Sequence, residues 1–382
     1  MKVAILGLDG YLGWNLAMYL STRGYEIVGM DSLLRRRLVH EVGSESLTPI
    51  KPMPDRLQAF KEVYGIDISF EEGDMRDYGF LEGFLEKHKP EAIVDFAEIP
   101  SAPYSMKDQK QAYETQEINV LGTLNLLWAM RATCPDAHLI KLGTLGEFGT
   151  PNCDIPEGYF DVWYRGRKAH LPFPKQPGSY YHITKAQDTI NLAFACKIWG
   201  LRSSDLMQGP VYGVKIPESR KDERLLSRFD YDGCWGTVMN RYCLQALIGY
   251  PLSPYGAGFQ IRGFIYIEDT MRCVELCIEN PPEKGEHRVF NQFFELWKVN
   301  DLAEKVKEAC KKEFGIEVEI RNIENPRVEA AKHYYNPHND GLLSLGIKPH
   351  KLEEMLPTFL GDLMPYKDRA RREVIAPKIT WR

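Results

Sequence analysis

The sequence predicts an α/β fold: a doubly wound parallel sheet with a smaller lobe following it in the chain. Three observations carry this. An apolar run, Val3–Leu6, leads directly into Gly7, Gly10 and Gly13, and a helical pattern follows from Trp14 to Thr22. Strand and helix patterns then alternate through the first half of the 382 residues, which argues for parallel strands joined by helical crossovers. Past Gly213 the alternation stops and charged residues crowd Glu218–Arg228, a change in character that marks a lobe boundary.

In order, strands are expected at Lys2–Leu6, Glu26–Met30, Ser69–Glu72, Ala92–Phe96 and His138–Leu142. Helices are expected at Tyr11–Thr22, Tyr78–Lys87, Thr115–Arg131 and Tyr181–Trp199. Val39–Asp55, rich in Ser, Pro and Glu, reads as an insertion between the second and third strands. Thr150–Gly178, with five prolines and many aromatics, reads as a second, and long structureless segments of this kind serve as functional loops or lids. The second part carries helix patterns at Thr237–Ile248 and Val299–Phe314 and a short strand at Glu317–Arg321. Gln260–Glu279 reads as returning to the first lobe. The expected division is therefore 1–213 with 260–279, against 214–259 with 280–382.

Lys and Arg number 48 against 53 Asp and Glu, a net charge of −5, with no basic block; this argues against a nucleic-acid partner. The eight cysteines are scattered, none forms CxxC, and no His pair stands near two of them, so no metal site is expected. Cys273 and Cys277 share a helix face and read as core packing. Scattered thiols fit a reducing compartment. Met1 opens directly onto the first strand, which leaves no room for a signal peptide, and no apolar run approaches a membrane span. The expectation is a cytoplasmic protein with no membrane partner.

The strand, glycine turn and helix of residues 2–22 let backbone N–H groups approach a dinucleotide pyrophosphate at a helix N-terminus, as on a Rossmann-type sheet. Gly143, Gly146 and Gly149 repeat the GxxGxxG spacing, but no helix pattern follows them at once. The second strand ends at Asp31, about 20 residues after the glycines, as a dinucleotide fingerprint requires. That carboxylate can accept hydrogen bonds from the adenosine ribose and would repel a 2′-phosphate, which favours NAD over NADP. Arg35, Arg36 and Arg37 leave open a 2′-phosphate, the pyrophosphate or a solvated face. The candidate cofactor contacts in this region are Gly7, Asp9, Gly10, Tyr11, Leu12, Gly13, Asp31, Arg35 and Arg36.

Tyr181-His-Ile-Thr-Lys185 matches YxxxK and places phenol and ammonium on one helix face. A phenol beside an ammonium is expected to have its pKa pulled down, so that it can take a proton from a sugar or alcohol hydroxyl. Tyr164 and Lys168 share the spacing but lie among Arg, Gly, His and Pro. Tyr181 opens a long helix downstream of a strand that ends in Leu142-Gly143-Thr144.

These features resemble the extended short-chain dehydrogenases/reductases. So do Gly-Asp74-Met-Arg-Asp, Ile-Asn119-Val-Leu-Gly-Thr, Gln208-Gly-Pro-Val-Tyr-Gly and Gln260-Ile-Arg262-Gly-Phe-Ile-Tyr-Ile-Glu-Asp. The resemblance implies that Thr144 bonds the reacting oxygen and that Lys185 also bonds the nicotinamide ribose. It implies that Asp74, with Met75, meets the adenine, that Ala97 lies at the cofactor, and that Asn119 bends a helix and holds a structural water. Gln208, Pro210 and Val211 would meet the nicotinamide. Arg262 would bind a nucleotide-sugar diphosphate, a task suited to its bidentate fork. Arg327, in Asn-Pro-Arg-Val-Glu, is a second diphosphate candidate, and Tyr255, Gln260 and Gln208 are further substrate candidates.

The similarity narrows on further reading. Residues 35–50, 101–106, 142–159, 171–185, 288–293 and 325–336 resemble the UDP-sulfoquinovose synthase family. This implies an enzyme that makes UDP-sulfoquinovose from UDP-glucose and sulfite with bound NAD, and a homodimer paired through the helices near Thr115–Arg131 and Tyr181–Trp199. One departure is visible: Glu98-Ile99-Pro100 stands where the family commonly carries Glu-Gln-Arg. Nucleotide-sugar 4,6-dehydratases carry an Asp-Glu pair directly after the Thr. Here those places hold Leu145 and Gly146, with Glu147 next, so His182 and Glu147 become the candidates for proton transfer at C5 and C6. An epimerase or dehydratase working without sulfite is one alternative. A non-catalytic NAD-binding sensor is another, against which the trio Thr144, Tyr181 and Lys185 speaks.

Overall fold

The computed structural model describes residues 1–330 and 332–381. Val3, Ala4, Ile5 and Leu6 have no exposed surface, as a parallel strand covered on both faces requires, and they form β1 (Lys2–Leu6). β2 (Glu26–Asp31), β3 (Ser69–Glu72), β4 (Ala92–Asp95) and β5 (His138–Thr144) follow within two residues of their expected bounds. With β8 (Arg202–Gln208) and β11 (His287–Gln292) they make a seven-stranded parallel sheet in the order β11-β8-β5-β4-β1-β2-β3. The order reverses at β1, where Leu6 pairs with Met30 on one side and Asp95 on the other. A crevice opens there beyond the strands' carboxyl ends.

Helices Tyr11–Ser21, Tyr78–His88 and Tyr180–Trp199 cover the sheet near their expected places. The helix expected at Thr115–Arg131 instead starts at Gln109 and is broken by a π-turn, Glu117–Leu121, before resuming at Gly122–Thr133. Asn119 sits in that turn. Its side chain accepts from Ile99 N at 2.8 Å and donates to Thr184 Oγ1 at 2.9 Å, so a cross-link to the neighbouring loop and helix holds the bulge.

Two helices unread in the sequence, Leu34–Glu41 and Met53–Tyr64, flank the first expected insertion. The second expected insertion is not structureless: β6 (Tyr159–Tyr164) and β7 (Arg167–Pro172) form an antiparallel hairpin within it. The expected strand at Glu317–Arg321 is absent. Only a single bridge forms there, between Leu252 and Ile320, because both glutamates and Arg321 face solvent and no second neighbour pairs with the segment.

β9 (Val211–Tyr212), β10 (Ile261–Tyr266) and β12 (Glu295–Lys298) make a three-stranded sheet. The helix after β10, Ile267–Glu279, packs beside Tyr11–Ser21, where Tyr19 Oη donates to Glu275 at 2.8 Å. It buries Cys273 and Cys277 completely. β11, which the sequence reading places with the smaller lobe, lies at the edge of the large sheet: its Val289 and Phe290 are buried and pair with Asp205 and Leu206. No helix among the described residues is long and apolar enough to cross a membrane.

Candidate active site

The crevice at the switch point widens into a cleft of about 710 Å³ lined by both parts of the chain. At one end Gly7 turns the chain out of β1 at φ 86°, and a Cβ there would lie 2.8 Å from the Phe96 carbonyl carbon. The helix that starts at Tyr11 has no side-chain cap, so its first amides remain available to an anion. Gly10, Tyr11, Leu12 and Gly13 line the cleft. Arg35 and Arg228 line the same end and share the Asp230 carboxylate, at 2.7 and 3.2 Å. Burial alone would raise the Asp230 pKa, but Arg228 and Arg35 hold it down to about 2. One Nη1 on each arginine is buried without a partner. Uncapped amides beside two unsatisfied guanidinium groups fit a pyrophosphate.

Asp31 lines the cleft, and its oxygens accept from the amides of Asp9 at 2.8 Å and Leu33 at 2.7 Å. Burial, reinforced by Asp9, raises its pKa to about 6. Asp9 itself turns inward: its carboxylate takes Arg36 at 2.7 Å and the fully buried Arg56 at 2.8 Å. Asp9 and Arg36 are therefore supports beneath the site rather than walls of it. Asp74, Met75 and Ala97 line the cleft. Asp74 binds Arg76, while the cap of the next helix is Asp77, which accepts from Phe80 N at 3.0 Å. Asn119 is buried in its π-turn, outside the lining.

At the other end β5 and β8 finish side by side, Thr144 opposite Gln208. Thr144, Tyr181, His182, Lys185, Gln208 and Val211 all line the cleft here. The Thr144 hydroxyl accepts from Gly146 N at 3.2 Å. Tyr181 does not have the lowered pKa that its spacing from Lys185 suggests. Burial and the Glu147 charge push it well above 10, against Lys141 and the Thr144 hydroxyl. Lys185 lies 5.8 Å from the Tyr181 ring centre and is held by the Glu98 carboxylate and the Leu142 carbonyl. Burial lowers the Lys185 pKa to about 8, against the pull of Asp188 and Asp95.

His182 Nδ1 meets Ser179 Oγ at 3.0 Å, and burial with nearby Arg327 and Arg262 lowers its pKa to about 3. Its ring is therefore neutral near pH 7. A Cβ on Gly146 would stand 2.4 Å from that ring, so Gly146→Ala should displace it. We expect turnover to fall about 10²-fold, the effect of a displacement of about 1 Å within an active site, with the bound dinucleotide unchanged. Steady-state rates and the dinucleotide released on denaturation check this. Glu147 is not in the lining. It has no exposed surface, pairs with Lys175 at 2.7 Å, and bonds Thr189 Oγ1 at 3.1 Å and Thr144 N at 3.2 Å.

The remaining wall carries Tyr255, Gln260, Arg262 and Arg327. Arg262 is paired with Glu329, and Arg241 with the Tyr255 hydroxyl. Gln260 donates to Tyr255 O at 3.2 Å, which leaves its Oε1 unpartnered.

The NAD dependent epimerase/dehydratase family model matches residues 3–291. UDP-sulfoquinovose synthase of Sulfolobus acidocaldarius is 47% identical over 386 residues, covering all of this chain and 98% of that one. The chloroplastic UDP-sulfoquinovose synthase of Spinacia oleracea is 46% identical over 382 residues, covering all of this chain and 79% of that one. The chain belongs to the UDP-sulfoquinovose synthase family. It is an NAD-dependent enzyme of the epimerase/dehydratase class. Solved structures share the fold at lower identity. The Thermotoga maritima UDP-glucose 4-epimerase, solved with UDP-glucose, matches with a TM-score of 0.69 at 20% identity over 97% of this chain and all of that one. The Stenotrophomonas maltophila UDP-glucose 4-epimerase, solved with NAD, matches with a TM-score of 0.72 at 18% identity over 97% of this chain and 98% of that one.

Several groups of this family member's site lie outside the motifs. Lys141, 1% exposed in mid-strand, bonds Asp95 at 2.7 Å, Thr123 Oγ1 at 2.9 Å, Asp188 at 3.3 Å and Glu98. Its signal is a lone lysine inside an apolar strand, His138–Thr144. Lys141 stands behind the lining, whereas Arg228, Trp235 and Trp381 are part of it. No spacing marks them, because each reaches the site from a segment far along the chain.

Proposed function

We propose that the protein converts UDP-glucose and sulfite to UDP-sulfoquinovose. The observation that carries this is the arrangement at the end of β5. Thr144, Tyr181 and His182 converge on one face of the cleft, whereas the nearest following carboxylate, Glu147, is turned into the core. That arrangement lacks the dehydratase Asp-Glu pair and offers His182 in its stead.

Bound NAD would accept the C4 hydride and return it at the end. Tyr181 Oη takes the proton of the 4-hydroxyl as the phenolate, a form that the positive charge of bound NAD would favour against the burial that raises its pKa, and Thr144 Oγ1 holds the same oxygen. The 4-ketone acidifies C5–H, and the neutral His182 ring takes that proton. Water leaves across C5–C6, the sulfite sulfur lone pair forms the C6–S bond, and a proton returns to C5. The net change replaces the C6–O bond by C6–S and releases water. Arg262 and Arg327 hold the diphosphate. Residues 1–213, with 260–279 and β11, carry most of the cofactor site, to which Arg228 is added, and the rest of the chain, with Arg262, carries the sugar nucleotide.

Mass spectrometry of UDP-glucose incubated with the protein, with and without sulfite, tests the proposal. A product of sulfonate mass that requires sulfite is expected. An epimer or a stable 4-keto sugar in its place would move the chain to the alternative chemistry.

The assembly is a homodimer in this reading. Leu121, Leu124 and Trp128 on one helix and Ile190, Phe194 and Ile198 on the next are exposed and repeat at helical spacing, an apolar face suited to a two-fold bundle. Sedimentation at micromolar concentration should give about twice the 43.9 kDa chain mass; a monomer alone would remove the dimer. Free cysteines throughout, five of the eight buried, support a cytoplasmic location.

A further inference from the structure

We propose that Trp381 is a positioning residue of the sugar-nucleotide site, holding the Arg327 guanidinium toward the substrate diphosphate. The inference rests on the reading of Arg327 given above.

The segment that ends at Trp381 crosses back over the cleft. It passes Gly233, whose amide donates to Val374 O at 2.8 Å, and reaches the cleft wall, where Trp381 is among the lining residues. Trp381 is fixed from two sides. Its backbone N–H donates to Pro326 O at 2.8 Å, making an isolated parallel bridge at Arg327. Its indole Nε1–H donates to Gly178 O at 3.1 Å. Gly178 immediately precedes Ser179, the cap of the helix that carries Tyr181 and His182. One side chain therefore ties the arginine loop to the loop that enters the catalytic helix.

Arg327 needs such a hold. Arg262 beside it has Glu329 as counter-charge, but no carboxylate pairs with Arg327 among the described residues, and its Nε is buried without a partner. What the guanidinium does have is the Trp381 ring, with Cζ 5.4 Å from the ring centre, within cation–π range. A guanidinium packed on an aromatic face, near the Glu329 charge but in no direct ion pair, keeps its N–H fork free for an incoming anion, and the flat ring restricts the rotamers that would swing it away.

The test is a double-mutant cycle read by titration calorimetry with UDP-glucose on the NAD-loaded protein. Trp381→Ala should raise the dissociation constant about tenfold, the size of a partly desolvated cation–π contact. Trp381→Phe keeps a ring face and should lose much less. Arg327→Ala should also raise the constant, and adding Trp381→Ala to it should change little further, because the two act as one unit. NAD content of each variant serves as the folding control, which a mere packing defect would lower. Unchanged binding in Trp381→Ala overturns the proposal, and so do two effects that multiply independently in the double variant. If Trp381→Ala weakens binding while Arg327→Ala does not, the diphosphate reading of Arg327 fails and the positioning role falls with it.

Discussion

Tyr181→Phe should lose about 10²–10⁴-fold in turnover, the usual loss when a positioned general base is removed, and should keep its NAD. The phenylalanine ring preserves the packing against His182, whose ring centre is 5.1 Å away, and the space beside Lys185. Only the oxygen disappears. Nothing else at the end of β5 replaces it: Thr144 has no basic site, Lys185 is engaged by Glu98 and Leu142 O, and Glu147 is sealed behind the strand end. Rates with UDP-glucose and sulfite, with NAD quantified after denaturation, decide the matter. Full turnover in the variant would transfer the base role to His182.

Lys141→Ala should destabilise the protein by about 3–5 kcal/mol, the cost of leaving buried charge without its partner. Lys141 is the cation that Asp95, Glu98 and Asp188 share. Without it, the buried Asp95 and Asp188 lose their direct ion-pair partner, and Glu98 keeps only Lys185. Burial already raises the Asp188 pKa, with Lys141 and Lys185 opposing that rise. Removing Lys141 raises it further. A carboxylate with a raised folded-state pKa contributes stability at low pH that is lost as pH climbs through that value. The deficit relative to wild type should therefore be larger at pH 8 than at pH 5 in urea unfolding. An equal deficit at both would show that lost packing, not unpaired charge, is responsible.

β1, β2, β4 and β5 were legible because they are buried on both faces and so are written as largely apolar runs, whereas β8 (Arg202–Gln208) and β11 (His287–Gln292) went unread because polar residues interrupt their apolar positions. The β6–β7 hairpin was not legible either. All of β7 is exposed, Trp163 and Tyr164 are 70% and 69% exposed, and no buried face imposes an alternation to read. The glycine turn, Asp31 and the Tyr181–Lys185 spacing were readable because backbone geometry and helix period fix them locally. Their electrostatics were not. Spacing shows that Lys185 shares a face with Tyr181, but not that Glu98, on a loop after β4, holds the ammonium. Asp9 and Arg36 sat in the right motif and turned inward, because Arg56, from a helix the reading missed, completes their ion pairs. Arg228 and Trp381 come from distant segments, and a contact of that kind leaves no periodic trace.

The strand order also bears on how the chain is made. β1 leaves the ribosome first and pairs with β2 on one side, but its other edge belongs to β4. That edge stays open while residues 32–91 are synthesised, and those residues include the helices Leu34–Glu41, Met53–Tyr64 and Tyr78–His88. Every later strand of the large sheet then docks beside the one before it, from β4 through β5 and β8 to β11. The hazard is concentrated at the start of translation, when an apolar parallel edge waits for its neighbour and pairing with another nascent chain competes with closure.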